Sequence, residues 1–447
     1  MNVSIIGTGY VGLISGVSLA SKGHHVTCVD KRKEVVSLLN NKQPHIYEKG
    51  LDKLLAEVID KGTFKVTDSV ERALRNSTLV LVAVGTPSEN GRIDLSQISD
   101  AIKEIAQYIK RSSDYISVII KSTVVPGTTD TFVRNILEEV SGKNIGDFGI
   151  GMNPEFLREG DAITDFMYPD RVVIGYEDSR TMELLSELYS PWDCEKIFVN
   201  CRTAEMIKYA NNTILAALIS LNNELSNHSA LLGNIDYMNV VHGISTDKRW
   251  SPIVDGKRIK PAILEYLVPG TGFGGSCFPK DVQAIRTQGE SLSQPMDILN
   301  AVLKVNENQP SAVMSILKEK AGGFINKKVI VLGLAFKSDT DDIRESTALK
   351  VINYLLVEGA SIYAHDPIAI DNTKKMYESS NVNFVTDWTV VLSTVDIIIV
   401  ATNWPEYKML VGMDDEGILS GKIIFDCKRL FKTEHFTNNT FLTTGRS

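Results

Sequence analysis

Short apolar runs punctuate the first part of the chain, each ending on glycine, a hydroxyl side chain or an acid. Val3-Ser4-Ile5-Ile6 predicts a buried strand, followed by a glycine turn and a helix to about Lys22. His25-Val26-Thr27-Cys28-Val29-Asp30 predicts the next strand, which ends on a carboxylate. Further strands are expected over residues 78–84, 116–121 and 148–152, with helical periodicity between them. Apolar strands alternating with helices indicate a parallel, doubly wound sheet. Residues 203–232 read as one long helix that is apolar on more than one face, so it is expected to be buried or at a subunit contact. The alternation restarts at Lys327. Residues 328–334 form a strand leading into a turn, residues 360–366 end on Asp366, and strands follow over 395–402 and 422–426. A second α/β domain is therefore expected from about residue 320 to the end, resembling the first in outline only.

Composition narrows the class. A chain of 447 residues is too long for one ordinary core, so two or three domains are expected. Its 43% hydrophobic and 23% charged residues are those of a soluble globular protein. A net charge of -8 argues against a broad nucleic-acid surface, although it leaves room for a local anion site. The five cysteines, Cys28, Cys194, Cys201, Cys277 and Cys427, are scattered without metal-ligand spacing. They predict free thiols in a reducing, cytoplasmic setting and no metal. Residues 1–20 lack a basic leader and contain four glycines, which suits a strand and helix start better than a signal peptide. No apolar run approaches a membrane span.

The candidate chemistry lies at strand ends. Gly7-Thr8-Gly9-Tyr10-Val11-Gly12 follows a strand and opens a helix, and Asp30 ends the next strand. This is the context of a dinucleotide site: the glycines admit a pyrophosphate to the backbone, and the acid bonds the ribose hydroxyls. An acid at that position favours NAD over NADP. Val84-Gly85-Thr86-Pro87 and residues 121–128, which include Thr123, also stand just past strand ends. Asn153-Pro154-Glu155-Phe156-Leu157-Arg158-Glu159-Gly160 places two carboxylates four residues apart, on one face if the segment is helical. Either suits a general base toward water. Lys208 and Asn212 are one turn apart on the apolar helix, a spacing suited to holding an oxyanion. Cys277 sits among Gly272, Gly274, Gly275 and Ser276, a backbone that lets a ligand approach, with Lys280 and Asp281 just downstream. A thiol there can carry a substrate through a thiohemiacetal and a thioester. In the last domain, Lys337 and Arg344 follow a strand and glycine turn, as suits a phosphate-bearing ligand.

In this order these blocks closely resemble the UDP-glucose/GDP-mannose dehydrogenase family: the GTGYVG turn, VGTPS, KSTV with PGT, NPEFLREG, the AE-IKYANN helix, GFGGSCFPKD, and GLAFK with DDIRES. The resemblance implies two Rossmann-like doubly wound domains joined by a long central helix and helical region. Residues 1–200 would bind NAD, residues 201–315 would be a helical dimerisation region carrying catalytic groups, and residues 316–447 would bind the UDP-sugar. It implies two successive oxidations of a sugar's primary alcohol. In that scheme Cys277 is the nucleophile, Lys208, Asn212 and Asp281 serve the oxyanion and proton transfers, Thr123 positions water, and Glu155 is the hydrolytic base. NAD contacts are expected from Gly7, Gly9, Tyr10, Val11, Gly12, Asp30, Thr86, Thr123, Glu159, Lys280 and Arg344. Substrate contacts are expected from Glu155, Phe156, Leu157, Lys208, Asn212, Arg249, Tyr266, Gly274, Lys337 and Lys428. The expected assembly is a homodimer in which each subunit lends the other a substrate arginine.

The chain departs from the family pattern at three places. Val35 stands where a basic residue often follows the ribose-binding acid, although Lys31, Arg32 and Lys33 are close by. The arginine element is split by an insertion at residues 251–261, leaving Arg249 and Arg258 as alternatives, of which Arg249 is favoured. Asp426-Cys427-Lys428-Arg429 puts lysine where the family has a substrate arginine, losing its bidentate fork. Tyr168-Pro169-Asp170-Arg171-Val172-Val173-Ile174-Gly175 resembles the UDP-glucose branch, so UDP-glucose is the expected substrate, with GDP-mannose or another UDP-hexose as the alternative.

Overall fold

Eight strands make the first sheet: β1 (Asn2–Ile6), β2 (His25–Val29), β3 (Phe64–Thr67), β4 (Leu79–Val82), β5 (Ser117–Ile120), β6 (Gly149–Met152), β7 (Arg171–Tyr176) and β8 (Glu195–Val199). Their order is β8-β7-β6-β5-β4-β1-β2-β3. All pairings are parallel except β6 with β7, where Gly151 faces Tyr176 and Met152 faces Gly175. The uniformly parallel sheet expected from the alternation thus holds for six strands, and β7 and β8 run the other way. The computed structural model describes residues 1–89, 91–378, 380–437 and 439–446.

Burial explains why these segments are strands. Every residue of β4, β5 and β6 is buried, as helices on both sheet faces require. Helix α1 (Tyr10–Ser21) packs on the sheet through small residues. A Cβ on Gly16 would stand 2.8 Å from the Cys28 sulfur, so the close helix–strand approach depends on that glycine. Helix α2 (Ser96–Arg111) buries Ile98, Ala101, Ile102, Ile105, Ala106 and Ile109, an apolar stripe at helical spacing.

The chain divides into two units, Met1–Asn211 and Asn212–Ser447, and the division falls within the helix α3 (Cys201–Leu232). The second unit contains α4 (Phe278–Ser291), α5 (Asp297–Ala321), α6 (Thr347–Val357) and a six-stranded sheet. The strands are β9 (Lys328–Leu332), β10 (Ser361–His365), β11 (Val382–Phe384), β12 (Ile397–Val400), β13 (Ile423–Asp426) and β14 (Thr440–Thr443), in the order β11-β10-β9-β12-β13-β14. Numbered within its unit, this is 3-2-1-4-5-6, the order of the first six strands of the first sheet. The likeness of the two halves is therefore topological and extends beyond outline. Among the described residues, no helix is long and apolar enough to cross a membrane.

The two second strands both end on an acid, but the acids are used differently. Asp366, after β10, is fully committed inside its own unit. Its Oδ2 accepts the amides of Leu334 at 2.8 Å and Ala335 at 3.1 Å and the Trp404 indole N–H at 3.2 Å. Its Oδ1 accepts the amides of Ile368 at 3.0 Å and Ala369 at 2.9 Å. The turn after β9, which the sequence offers as a phosphate cradle, thus has its amides filled by a side chain. The helix expected to follow that turn begins only at Thr347, after a looped segment. Replacing Asp366 with alanine would orphan several buried donors, and a loss of about 3 kcal/mol or more is expected. Thermal unfolding followed by tryptophan fluorescence measures it, and an unchanged melting temperature would contradict the clamp.

Candidate functional site

In the first unit, the sheet order reverses between β1 and β4, and ligand crevices form beyond the carboxyl ends at such a point. The turns after β1, β4, β5 and β6 all lie at that end, because these strands are mutually parallel. Gly7 has φ +99°, a conformation that strains any side chain, and its amide donates to the Val29 carbonyl at 2.8 Å. A Cβ on Gly12 would run into the Gly7 carbonyl. Gly9 is different: space is open where its Cβ would stand. Two glycines therefore keep the turn tight, and the third leaves the backbone accessible from outside. These features, with an acid at the end of β2, fit NAD.

Asp30 is buried. Burial alone would raise its pKa, but hydrogen bonds from Arg32 and Thr8 and the charge of Arg32 bring it down to about 2. Arg32 donates to it through its amide at 2.9 Å, Nε at 3.0 Å and Nη2 at 2.9 Å, and the Thr8 hydroxyl donates as well. Arg32 is thus the basic residue beside the acid, three positions before Val35.

Beyond β4, the Thr86 hydroxyl donates to the Thr123 carbonyl at 3.0 Å, tying the turns after β4 and β5 together. The segment after β6 is irregular, so the helical face considered for Glu155 and Glu159 does not exist. Glu155 turns inward. Its Oε1 accepts from Lys208 Nζ at 3.0 Å, and its Oε2 accepts the Leu157 amide at 2.6 Å. Both side chains of this ion pair are buried, at 4% exposure for Lys208 and 6% for Glu155. Burial pushes the carboxyl up, yet Lys208, its hydrogen bond, the Leu157 amide and Lys121 together hold it below its ordinary value. The Phe156 ring has Lys208 5.5 Å and Arg171 3.9 Å from its centre.

Two functional candidates at this site were missed from sequence. Lys121 is buried, donates to Asn153 Oδ1 at 2.9 Å, and is brought down to about 8 by burial and the nearby Lys208, against the pull of Glu155. Glu205 precedes Lys208 by three residues on α3, and that same-face spacing was the available signal. Its oxygens accept the amides of Gly127 at 2.6 Å and Thr129 at 2.8 Å, where the helical segment Thr128–Val133 begins. Arg202, a turn earlier, pairs with Asp130 at 3.0 Å.

In the second unit, the cysteine loop is held from both sides. Gly272 has φ +106°, and Asn306 of α5 bonds both the Phe273 amide at 2.7 Å and its carbonyl at 3.0 Å. A Cβ on Gly274 would strike the Glu345 carbonyl, and the Gly275 amide donates to the Arg344 carbonyl at 2.9 Å. Cys277 is the residue capping the N-terminus of α4, with its sulfur 3.5 Å from the Ser276 hydroxyl. The electropositive helix end favours negative charge on that sulfur. Asp281, one turn into α4, accepts from Asn212 Nδ2 at 2.7 Å and pairs with Lys280 at 3.0 Å. Tyr266 and Phe273 lie 6.4 and 6.1 Å, centre to centre, from the Phe278 ring. The structure therefore brings Gly274, Cys277, Asn212, Asp281, Lys280, Tyr266 and the Arg344 backbone into one neighbourhood of this unit. The Arg344 guanidinium pairs with Asp342 at 2.8 Å, and Lys337 is half-buried.

The cysteines differ in environment. Cys28, Cys201 and Cys427 are buried, and burial pushes all three thiols up. Cys194 is half-buried and is also raised, chiefly by desolvation. In the split arginine element, Arg258 is spent on the carbonyls of Thr246 at 2.8 Å and Ser251 at 2.9 Å. Arg249 projects outward at 87% side-chain exposure, paired with Asp247 at 2.6 Å. At the last element, Arg429 bonds Asp236 at 3.0 Å and the Thr444 carbonyl at 2.6 Å. Lys428, next to it, is half-buried, and desolvation lowers its ammonium pKa.

Family models match nearly the whole chain in consecutive pieces. The NAD binding domain of the UDP-glucose/GDP-mannose dehydrogenase family covers residues 1–193, its central domain 202–308, and its UDP binding domain 330–433. This chain belongs to that family. A UDP-glucose 6-dehydrogenase of Rickettsia bellii is 35% identical over 442 residues, covering 97% of this chain and 96% of the relative. The protein YwqF of Bacillus subtilis, also named a UDP-glucose 6-dehydrogenase, is 35% identical over 432 residues, covering 96% and 94%. The solved UDP-glucose dehydrogenase of Pyrobaculum islandicum superposes with a TM-score of 0.88 at 37% identity, covering 98% of this chain and 96% of that one. The chain is thus an oxidoreductase of the nucleotide-sugar dehydrogenase class, with NAD as its cofactor.

The buried Glu205 makes a pH test. Burial raises its carboxyl to about 7 despite the amides of Gly127 and Thr129. A pKa raised in the folded state stabilises it below the unfolded value and loses that contribution as pH rises through the folded value. Stability should therefore fall by up to about 3 kcal/mol between the ordinary value of 4.5 and about 7. Glu205→Gln should flatten that component in denaturant titrations across the window, and an equal slope in the variant would disprove the assignment.

Proposed function

We propose that the chain oxidises the C6 hydroxyl of UDP-glucose twice, giving UDP-glucuronate, and so serves UDP-glucuronate supply for polysaccharide synthesis. The observation that carries this reading is Cys277 at the N-terminus of α4, in a glycine loop whose backbone is fixed by Asn306, Glu345 and Arg344. A one-step alcohol dehydrogenase has no need of such a thiol. Full-length similarity to proteins named UDP-glucose 6-dehydrogenase supports the choice of sugar.

NAD, when bound, accepts a hydride in each oxidation. Gly7, Gly9, Tyr10, Val11 and Gly12 would hold its pyrophosphate side, Asp30 its adenosine ribose, and Thr86, Thr123, Glu159, Lys280 and Arg344 the remainder. Lys208 and Asn212 would hold the substrate's C6 oxygen as negative charge develops on it, and Asp281 would take the hydroxyl proton in the first oxidation. The Cys277 thiolate would add to the aldehyde carbon, forming a C–S bond and a thiohemiacetal, and loss of the second hydride would leave a thioester. Glu155, ionised because Lys208 holds its pKa down, would take a proton from a water placed by Thr123. Water's oxygen would bond the acyl carbon, the C–S bond would break, and Asp281 would assist return of the proton to sulfur. Phe156, Leu157, Tyr266, Gly274, Lys337 and Lys428 would line the nucleotide sugar.

The reading includes a homodimer formed through the central region, residues 201–315, with Arg249 contributed to the partner's substrate. The exposure of Leu221, Leu225, Leu231 and Leu232 along α3 supports a covered face there. Arg249 is preferred to Arg258 because the latter is committed to two carbonyls of its own chain.

The test is stoichiometry. Purified protein offered UDP-glucose, GDP-mannose and UDP-N-acetylhexosamines should release two NADH per UDP-glucose consumed; one NADH with a free aldehyde overturns the reading. Cys277→Ser should lower complete turnover about 10²-fold or more, stalling after the first oxidation or at an acyl ester, since an alkoxide leaves less readily than a thiolate. Wild-type turnover in that variant would remove the covalent mechanism.

A further inference from the structure

Glu48 lies in the loop between the helices Lys33–Asn40 and Leu51–Asp60 and is only 6% exposed. No sequence motif singles it out. Its carboxylate bonds three groups from two other segments. The Tyr10 hydroxyl donates to Oε2, the Gly160 amide donates to the same oxygen at 2.8 Å, and the Ala162 amide donates to Oε1 at 2.9 Å. The Gly160 amide also lies 3.3 Å from the Tyr10 hydroxyl, closing a small network.

The joined segments are two of those that the proposed reading assigns to NAD in this unit. Tyr10 is the first residue of α1, directly after the Gly7–Gly9 turn. Gly160, at φ +86°, ends the segment that carries Glu155 and Glu159 beyond β6. Three residues before Glu48, His45 stands beside Thr8, Asp30 and Arg32. Its Nδ1 is buried and has no hydrogen-bond partner among the described residues. Residues 45–48 therefore form a strap, with one end at the strand-ending acid and the other fastened to the far loop.

We propose that Glu48 is a positioning residue for the cofactor, holding residues 157–162 in register with the Gly7–Gly12 turn. The inference rests on that turn binding NAD. Without the clamp, the far loop must find its place when NAD binds, and that ordering weakens affinity. A carboxylate suits the task because it accepts from all three donors at once. Glutamine of the same shape has one acceptor oxygen, and its NH2 group would face a backbone N–H.

The experiment is direct NAD titration of the free protein by calorimetry, with hydrogen exchange at residues 157–162. Glu48→Gln should raise the NAD Kd about tenfold and speed exchange at Gly160 and Ala162. In turnover, the KM for NAD should rise without a parallel rise in the KM for the nucleotide sugar. Tyr10→Phe, which removes one donor and leaves the backbone bonds, should show a smaller rise and keeps the test open should Glu48→Gln misfold. The two changes combined should be less than additive, because they break one network. If wild type binds NAD and both variants bind it equally well, this proposal fails alone. If wild type binds no NAD, the cofactor reading fails and takes the proposal with it.

Discussion

The first unit is organised around an expensive interaction, the burial of Glu155 against Lys208. Taking two charges out of water costs several kcal/mol per ion, and only close geometry with further hydrogen bonds repays it. Here the pair has a 3.0 Å contact, the Leu157 amide on the other carboxylate oxygen, and Lys121 as a second cation nearby. Each partner arrives on a separate element: Glu155 beyond β6, Lys208 on α3, Lys121 beyond β5. The sheet must therefore set these ends correctly before the pair can exist. Breaking it from one side would leave a buried charge uncompensated, which typically costs about 3–5 kcal/mol. The same arrangement holds the Glu155 carboxyl below its ordinary pKa, which favours the ionised form that the proposed role as a base would require.

The anchoring of α3 follows the same logic. Arg202, Glu205 and Lys208 recur every third residue along it, and each engages a different partner of the first unit. Arg202 meets Asp130, Glu205 caps the amides at Gly127 and Thr129, and Lys208 meets Glu155. A helix fastened at three levels on one face resists rotation about its axis. The Lys208 ammonium is thereby aimed by contacts well away from itself.

Much of this was legible in the chain. Buried parallel strands are rich in apolar residues, so β1, β2, β4, β5, β6 and β9 announced themselves; β1 begins one residue earlier than its pattern, and the others have ends a residue or two inside theirs. β7 and β8 were not among the expected strands, and their direction was not legible either, because a strand's residues record burial and leave its sense to the connection. Asp30 and Asp366 looked alike, each an acid closing a second strand. What separates them is the neighbouring turn: Gly9 leaves open space, whereas the Leu334 and Ala335 amides are turned onto Asp366. Glu48 gave no signal because its partners are two backbone amides and a phenol, distant in sequence and silent in composition. The cysteine loop was the clearest feature, since a thiol meant only for packing has no need of glycines crowded beside it.

The distribution of thiols has a practical side. Three of the five are enclosed within the two units, and desolvation raises the fourth, Cys194. Alkylating reagents act on thiolate that they can reach. Cys277, half-buried at a helix N-terminus, is thus set apart from the other four by its surroundings. Under the proposed covalent mechanism, iodoacetamide uptake by the native protein would count intact centres, and protection by a nucleotide sugar would measure occupancy, with no labelled substrate and no engineered reporter.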